Sequence, residues 1–259
     1  MVAAAPVRAQ AAADSAQWST PADAASGQQL IYRGQLDAAG AFFTQLAGRY
    51  PRDPVGPALA ASALIWDAAA RQDDAWAEDS VDTLLTVAAG RAERALADAG
   101  NDSARVAALF WLGTALGYRA RQAELHGHLW RAAGDARGMR KALELALVFD
   151  STCVDCLLGL AIYDYALARA GALARLVARI IGLGGGDAQV ALARLRRVSE
   201  EGTLTRYEAQ WLYANALVRE SRGDAALREK ALRLVGALAA QFPDNPVFGR
   251  FLQNSSAAP

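Results

Sequence analysis

Cys153 and Cys156 are the only cysteines of the 259-residue chain, and they form a C-x-x-C motif. This spacing at the start of a helix suits redox chemistry, because the helix end favours a thiolate. A thioredoxin-like enzyme would surround the motif with alternating strands and helices, which the sequence does not predict. A zinc site would need two further ligands. We therefore interpret the motif as structural, either as buried thiols or as a short disulfide in an oxidising compartment.

His126 and His128 are the only histidines. Glu124 and His128 stand four residues apart and would share one face of a helix, so a metal ion is conceivable there. Gly127 weakens a helix between the two histidines, and the neighbouring arginines would repel a cation. We therefore expect a partly exposed helix break and no metal at this point.

The run GLGGGD at 182–187 is the remaining candidate for chemistry. Phosphate-binding glycine loops follow a strand, whereas this run follows a predicted helix. A flexible helix stop, with Asp187 capping the next helix, is the favoured interpretation. The sequence contains no G-x-S-x-G, H-E-x-x-H or P-loop pattern. We expect a protein that is not an enzyme and that uses no cofactor.

The composition favours helices as the elements that position these residues. Hydrophobic residues make up 53% of the chain, which is enough to bury a large core. Alanine, the best helix former, is very frequent, and proline avoids the predicted helix interiors. The 27 basic and 27 acidic residues cancel, so no overall field attracts nucleic acid. No run of about 18 apolar residues predicts a membrane span. An all-α protein is predicted.

Apolar residues at helical spacing predict pairs of amphipathic helices separated by Gly, Pro or Asp breaks. The predicted helices are 22–33, 36–49, 55–71, a long helix ending at Ala99, 104–134, a return helix ending at Asp150, about 153–168, 172–183, 188–201, a hairpin within 204–241 and a short terminal segment. Gly134 and Asp135 are expected to stop helix 104–134. The acidic residues at the start of the long helix complement its dipole.

Self-similarity between the helix pairs indicates a repeat. Leu112-Gly113 and Leu158-Gly159 occupy the same place in two first helices, and Pro51 and Pro243 close the first and last pairs. These residues resemble the tetratricopeptide repeat, whose pattern is W-x2-L-G-x2-Y, then A-x3-F, then P. The two glycines are 46 residues apart (159 − 113), so the middle repeats are lengthened beyond the usual 34 residues. The resemblance implies an α-α superhelix, a solenoid of about five helical hairpins.

Members of this family typically bind protein segments in the concave groove that their first helices line, and most are not enzymes. The resemblance therefore implies a non-catalytic scaffold for a protein or peptide partner. The positions that map to the groove are Phe110, Thr114, Tyr118, Leu160, Tyr163, Asp164, Tyr213 and Glu220. Tyrosines in a groove commonly anchor a bound segment, although an aromatic stripe on a helix also fits a core position.

The helix at 172–183 is not required by the repeat. Its large apolar residues are expected on one side and its arginines on the other, which is typical of an amphipathic basic helix. The residues that would contact a surface are Arg175, Arg179, Ile180 and Ile181. This helix predicts a peripheral membrane or lipid-associated adaptor as the alternative function, unless it packs on its own repeat array. An enzyme or a metal-binding protein is a more distant alternative.

Domain boundaries follow from the same pattern. A single repeat domain is expected over 21–253, between disordered tails at 1–20 and 254–259. Within the first tail, Ala9-Gln10-Ala11 has the small-x-small form of a signal-peptidase site, although the apolar segment that should precede it is missing. The tail is therefore either ordinary or the remnant of an export signal. We expect a periplasmic or secreted protein, with the cytoplasm as the alternative.

Overall fold

A computed structural model describes residues 18–180 and 182–256, except the side chains of Leu173, Ala174, Arg179, Ser255 and Ser256. Within these ranges every regular element is an α-helix, which confirms the predicted all-α fold. The helices are α1 (Pro21–Tyr32), α2 (Leu36–Arg49), α3 (Val55–Arg71), α4 (Glu78–Ala97), α5 (Asp102–Leu125), α6 (Leu129–Phe149), α7 (Cys156–Arg169), α8 (Ala172–Ile180), α9 (Ala188–Glu201), α10 (Arg206–Ser221), α11 (Ala225–Gln241) and α12 (Pro246–Ser256).

Neighbouring helices in the chain are neighbours in space, as a solenoid requires. Five hairpins follow one another: α1 with α2, α3 with α4, α5 with α6, α7 with α9, and α10 with α11. Helix α8 is inserted inside the fourth hairpin and packs against α6. Helix α12 covers the end of α11. The structure thus agrees with the predicted series of about five hairpins plus one extra helix.

Side-chain caps at the helix starts explain several of the boundaries. Thr20 and Asp23 form a reciprocal capping box at α1. Asn101 Oδ1 accepts the Ala104 N–H at 2.9 Å at the start of α5. Asp187 Oδ1 accepts the Gln189 N–H at 2.8 Å, so its predicted capping role is confirmed. The helices predicted at 36–49, 55–71 and 188–201 begin and end at the predicted residues.

The predicted C-terminal end of the long helix at 104–134 is wrong. Helix α5 ends at Leu125, and a turn at 126–128 separates it from α6. Gly127 takes φ +78° in this turn, a conformation that a residue without Cβ adopts at little cost. Gly134, the expected stop, lies inside α6 with open space where a Cβ would point, so it does not end the helix. The predicted break at the histidines is therefore the real boundary.

The leucine–glycine pairs of the repeat meet at one side chain. A Cβ placed on Gly113 of α5 would lie 2.7 Å from Leu143 of α6, and a Cβ on Gly159 of α7 would overlap the same leucine. Leu143 itself is 2% exposed. Glycine at both positions lets three consecutive helices pack closely around this leucine, which is why the two positions stand out in the sequence.

The two ends of the helical array also contact each other. Asn245, just before α12, donates through Nδ2 to the Tyr32 carbonyl at 3.0 Å. Arg250 of α12 donates to the carbonyl of Ala70 at 2.7 Å, at the end of α3. The rings of Trp66 and Phe248 pack edge to face, with 5.7 Å between their centroids. The hairpins therefore curl until the last helix rests on the first two hairpins.

The edges of the domain differ slightly from the predicted tails. Ser19 donates through its backbone N–H and its hydroxyl to Asp53, at 2.6 and 2.7 Å, so the ordered chain begins before residue 21. Helix α12 continues to Ser256. The candidate signal-peptidase site Ala9-Gln10-Ala11 lies outside the described residues. Where the chain is described, none of its helices has the length and apolarity needed to span a membrane.

Candidate binding surfaces

The concave side of the array is bridged by the protein's own side chains. Tyr118 of α5 donates its hydroxyl hydrogen to Glu208 of α10, 2.8 Å from Oε1. The Ser62 hydroxyl of α3 lies 3.4 Å from the same tyrosine oxygen. Burial raises the pKa of Glu208, against the opposing effects of the Tyr118 hydrogen bond and the charge of Arg121. Three first helices are thus linked across the face that was predicted to hold a partner.

Four of the eight predicted groove residues are core residues in this conformation. Phe110, Leu160, Tyr163 and Tyr213 are each at most 9% exposed. The polar ends of the two tyrosines are also occupied, because the Tyr163 hydroxyl donates to the Leu183 carbonyl at 2.8 Å. Lys230 donates to the Tyr213 hydroxyl at 2.9 Å. These four side chains stabilise the fold and present little surface to a partner.

The other four predicted groove residues are partly exposed and bonded within the protein. Thr114 donates to the carbonyl one turn earlier in its own helix, at 2.9 Å. Tyr118 is bonded to Glu208 as described above. Asp164 pairs with Arg194 of α9. Glu220 accepts hydrogen bonds from Arg169 at 2.7 Å and from Tyr165 at 2.9 Å. Contact between these residues and a partner stays a prediction.

An aromatic cluster fills the place where the array closes. It joins the first, second and last hairpins with α12, and its members are Tyr32, Trp66, Tyr207, Trp211, Phe242, Phe248 and Phe251. Centroid separations of 5.0 to 6.4 Å and tilted or edge-to-face geometry are those of attractive ring pairs. Several of these aromatic residues are far apart in the sequence, and their shared role follows only from the closure.

The large apolar residues of α8 lie on one side of the helix by their spacing, with the arginines opposite, as predicted. Val177 and Ala178 are buried, and the helix packs against α6. Leu176 is 51% exposed and Ile180 is 63% exposed. The array therefore covers only part of the apolar side of α8. Arg175 is exposed, as predicted. The Arg179 side chain and all of Ile181 lie outside the described residues.

Three exposed apolar residues lie near the junction of α4, α5 and α6: Trp76 in the turn before α4, Leu125 at the end of α5 and Trp130 at the start of α6. We call this group the aromatic corner. Two polar contacts hold its elements together: His126 Nδ1 lies 2.9 Å from Glu78 Oε1, and Arg131 pairs with Asp82. The first contact joins the start of α4 to the turn between α5 and α6, and the second joins α4 to the first turn of α6. The three side chains of the corner are therefore carried by one packed junction.

The exposure of the aromatic corner is unusual for side chains of this type. Trp130 is 59% exposed, Leu125 is 44% exposed and Trp76 is 38% exposed. The guanidinium of Arg71 stacks over the Trp76 ring, 3.9 Å from its centroid, which fixes the orientation of the indole. Clustered exposed aromatic residues of this kind mark interaction sites more often than single exposed apolar residues do.

Carboxylates surround the aromatic corner. The start of α4 and the turn before it carry Asp73, Asp74, Glu78, Asp79 and Asp82. Glu78 and Asp82 make the contacts that hold the corner together. Asp74 and Asp79 are exposed, and neither has an ion pair in the part of the chain that the structure describes. The corner is therefore an apolar surface with a net negative rim.

A cleft of about 680 Å³ opens between the second and third hairpins. Trp18 and Trp111 stand among its lining residues, together with five alanines and the polar residues Ser19, Arg52, Asp53, Asp98 and Asn101. These polar side chains are bonded within the protein: Arg52 pairs with Asp98, Ser19 donates to Asp53, and Asn101 accepts the Ala104 N–H. A ligand would have to compete with these contacts, so the cleft is a weaker candidate than the aromatic corner.

The residues singled out for chemistry have structural roles. Cys153 and Cys156 form a disulfide at the start of α7. Within the described ranges, no three His, Cys, Asp or Glu side chains are grouped so as to hold a metal ion. The GLGGGD run folds back on α7, where a Cβ at position 186 would overlap the Asp164 carbonyl.

No protein-family model matches the chain, and no curated protein matches it. Membership of the tetratricopeptide repeat family therefore stays a prediction based on the residues quoted above.

Proposed function

We propose that this chain is a non-catalytic, tetratricopeptide-like scaffold that binds a protein segment at the aromatic corner. One observation carries the proposal: Trp76 and Trp130 are both exposed on a single rigid junction of three helices. Tryptophan is enriched among the residues that dominate binding energy at protein interfaces, because it buries a large apolar area when a partner covers it. The partner is a segment of another protein that provides apolar side chains for this surface.

The negative charge around the aromatic corner indicates that the partner segment is basic. Asp74 and Asp79 are exposed carboxylates without an ion pair among the described residues, so lysine or arginine in the partner would find them unoccupied. Complementary charges at a rim act mainly on the rate of association and on the choice of partner. The proposed ligand is therefore a basic segment with one or two large apolar residues.

The aromatic corner is preferred over the concave groove because its apolar side chains are more exposed. Tyr118 and Glu208 bind each other across the concave side, and a partner entering there would have to break that contact. Trp130, by contrast, has more than half of its surface exposed. Binding at the corner needs no rearrangement of the helices that carry it.

The proposal is tested by affinity capture with four versions of the full chain. The double variant Trp76→Ala/Trp130→Ala removes the apolar surface, and Asp74→Lys/Asp79→Lys reverses the rim. The matched control Val148→Ala/Val190→Ala truncates two exposed apolar side chains away from the corner, at the far end of α6 and on α9. Partners held by the wild type and the control should be lost by both corner variants. Isothermal titration of a partner identified in this way should show affinity at least about 30-fold weaker for the tryptophan variant.

Two results would contradict the proposal. Partners that all four versions retain bind elsewhere on the scaffold. Partners that Tyr118→Ala releases, but that remain on the corner variants, bind the concave groove instead. Circular dichroism on each variant separates loss of a binding surface from loss of the fold.

We further propose that the protein works in an oxidising compartment, either the periplasm or the cell exterior. The Cys153–Cys156 disulfide supports this, because such bonds persist where thiols are not kept reduced. Alkylation of protein taken directly from cells, followed by mass spectrometry, measures the redox state. Two alkylated cysteines in that sample would point to the cytoplasm instead.

A further inference from the structure

A small pocket of about 220 Å³ lies where α7 and α10 end beside the first turn of α8. Its lining residues are Ala168, Arg169, Arg175, Arg219, Glu220 and Arg222. Four arginines and one glutamate give a formal charge of +3 (4 − 1) around one cavity. The chain as a whole is neutral, so this is a local concentration of positive charge.

Among the residues that the structure describes, one of the four arginines is neutralised by a direct contact with a carboxylate. Arg169 donates to both carboxylate oxygens of Glu220, so the charges of these two side chains neutralise each other. Arg175, Arg219 and Arg222 are exposed, and none of them makes an ion pair with a carboxylate in the described parts of the chain. Arg175 donates one hydrogen bond to a carbonyl, and Arg219 lies 5.9 Å from the Tyr165 ring centroid. Three guanidinium groups thus keep donors available at the pocket.

The negative ends of the helix dipoles offset only part of this positive charge. Helices α7 and α10 both end at the pocket, with Arg169 and Arg219 in their last turns. The C-terminus of a helix carries about −0.5 of an elementary charge, so two of them offset about one of the three positive charges. About two positive charges remain without compensation. An anion with oxygen acceptors arranged for forked N–H donors, above all a phosphate group, fits this surplus.

The neighbouring surface of α8 is apolar. Leu176 follows Arg175 directly, and Ile180 lies one turn further along the helix. Both side chains are more than half exposed, whereas a site for a free phosphate ion would need no apolar neighbour. A cationic pocket beside exposed leucine and isoleucine is the arrangement of a helix that lies in a membrane interface. Phosphate and hydrocarbon occur side by side in a phospholipid.

We propose that the pocket binds the phosphate of an anionic phospholipid at a membrane surface, with Leu176 and Ile180 inserted at the level of the acyl chains. The arginines Arg175, Arg219 and Arg222 contact the headgroup, and α8 lies along the interface. This site is separate from the aromatic corner, so the scaffold can hold a protein partner while it rests on a lipid surface. Its test is independent of that partner.

The experiment is flotation of the full chain with vesicles of phosphatidylcholine mixed with phosphatidylglycerol, and with vesicles of phosphatidylcholine alone. We expect salt-sensitive binding to the mixed vesicles only. Each arginine near an anionic surface contributes roughly five-fold to the partition coefficient, so Arg219→Gln/Arg222→Gln should bind about 25-fold more weakly. The control Arg33→Gln/Arg94→Gln removes the same charge from exposed arginines elsewhere, in the turn after α1 and on α4, and should bind like the wild type.

A second pair of variants separates a lipid from a free anion. Leu176→Gln/Ile180→Gln leaves the charge unchanged and should also lose vesicle binding, whereas Val148→Gln/Val190→Gln should not. All substituted side chains are exposed, so circular dichroism should be unchanged.

Three results overturn the proposal. If the chain does not bind the mixed vesicles, a phospholipid is not its ligand. If Arg33→Gln/Arg94→Gln weakens vesicle binding as much as Arg219→Gln/Arg222→Gln does, the attraction is a general effect of positive charge and not of this pocket. Binding that Leu176→Gln/Ile180→Gln leaves intact, together with calorimetric binding of inorganic phosphate at the arginines, shows a soluble phosphate site instead.

Discussion

Tyr118 donates a hydrogen bond to Glu208 across 90 residues of sequence, 2.8 Å from Oε1. The contact joins the third hairpin to the fifth on the concave side of the array. Together with Asn245 at the Tyr32 carbonyl, it makes the solenoid curl onto itself. Partner binding is therefore proposed on outer surfaces. The contacts that close the array should also contribute to the free energy of unfolding, which can be measured.

Tyr118→Phe tests the contribution of this contact. The variant removes the donor and leaves the Glu208 carboxylate in its partly buried position without it. We expect the free energy of unfolding at pH 7 to fall by about 1–3 kcal/mol. Urea unfolding measures the change. Tyr50→Phe removes a hydroxyl that makes no side-chain hydrogen bond within the described residues and should change the stability little; an equal loss in both variants would count against the closure.

Glu208→Gln tests the pH dependence of the same site. Burial raises the pKa of Glu208, so its contribution to stability is fully present below the ordinary glutamate pKa of about 4.3 and is lost as the pH rises through the raised value. Glutamine does not titrate. The variant should therefore gain stability relative to the wild type as the pH rises from about 4 to 7. If the difference in unfolding free energy between the variant and the wild type stayed constant over this pH range, the raised pKa of Glu208 would be contradicted.

Gly159→Ala tests the crossing at Leu143. The new Cβ would overlap the leucine side chain, so the free energy of unfolding should fall by about 1–3 kcal/mol. Gly134→Ala is the control: it lies in α6 with open space around it and should raise stability by about 0.5–1 kcal/mol. In a Leu143→Ala background, Gly159→Ala should no longer be destabilising. If Gly159→Ala lowered the unfolding free energy by the same amount in the Leu143→Ala background, the new Cβ would clash with a residue other than Leu143.

Asp155→Ala tests the link between the fourth and fifth hairpins. The Asp155 carboxylate accepts the hydroxyls of Thr203 and Thr205 at 2.6 and 2.7 Å. Burial acts to raise the pKa of Asp155, but these and the backbone hydrogen bonds together lower it. Its contribution is therefore present above the ordinary aspartate pKa of about 3.9 and is lost as the pH falls through the lowered value. Differential scanning calorimetry should show the variant destabilised by about 1–3 kcal/mol at pH 7 and less so in strong acid.

Reduction of the disulfide should destabilise the protein only modestly. Cys153 and Cys156 are three residues apart, so the closed loop is short and its closure entropy corresponds to about 2 kcal/mol. Thermal unfolding with and without a reducing agent measures this, and Cys153→Ser/Cys156→Ala without reductant should match the reduced wild type. Complete unfolding on reduction would mean that the bond holds much more of the fold than the start of α7.

The helices and their order follow from local patterns in the sequence. Apolar spacing predicts α2, α3 and α9, because a helix must turn one face to the core whatever packs against it. Local caps such as Asp187 could also be predicted, since a side chain and the N–H it accepts lie within three residues. The paired glycines Gly113 and Gly159 could be recognised as a repeat, although not as two contacts with one leucine. Gly127 ends α5 because it takes a positive φ in the turn, whereas Gly134 keeps a helical conformation inside α6.

Which helix faces are free depends on how the hairpins pack in three dimensions. A spacing pattern shows that Tyr163 and Tyr213 share a face with apolar neighbours, but it cannot show whether a partner or another helix covers that face. The answer depends on the curvature of the array, which sums small rotations over five hairpins and brings Tyr118 to Glu208. The same summation brings the last hairpin and α12 back to the first hairpins. Long-range contacts of this kind are fixed by geometry that no local stretch of sequence contains.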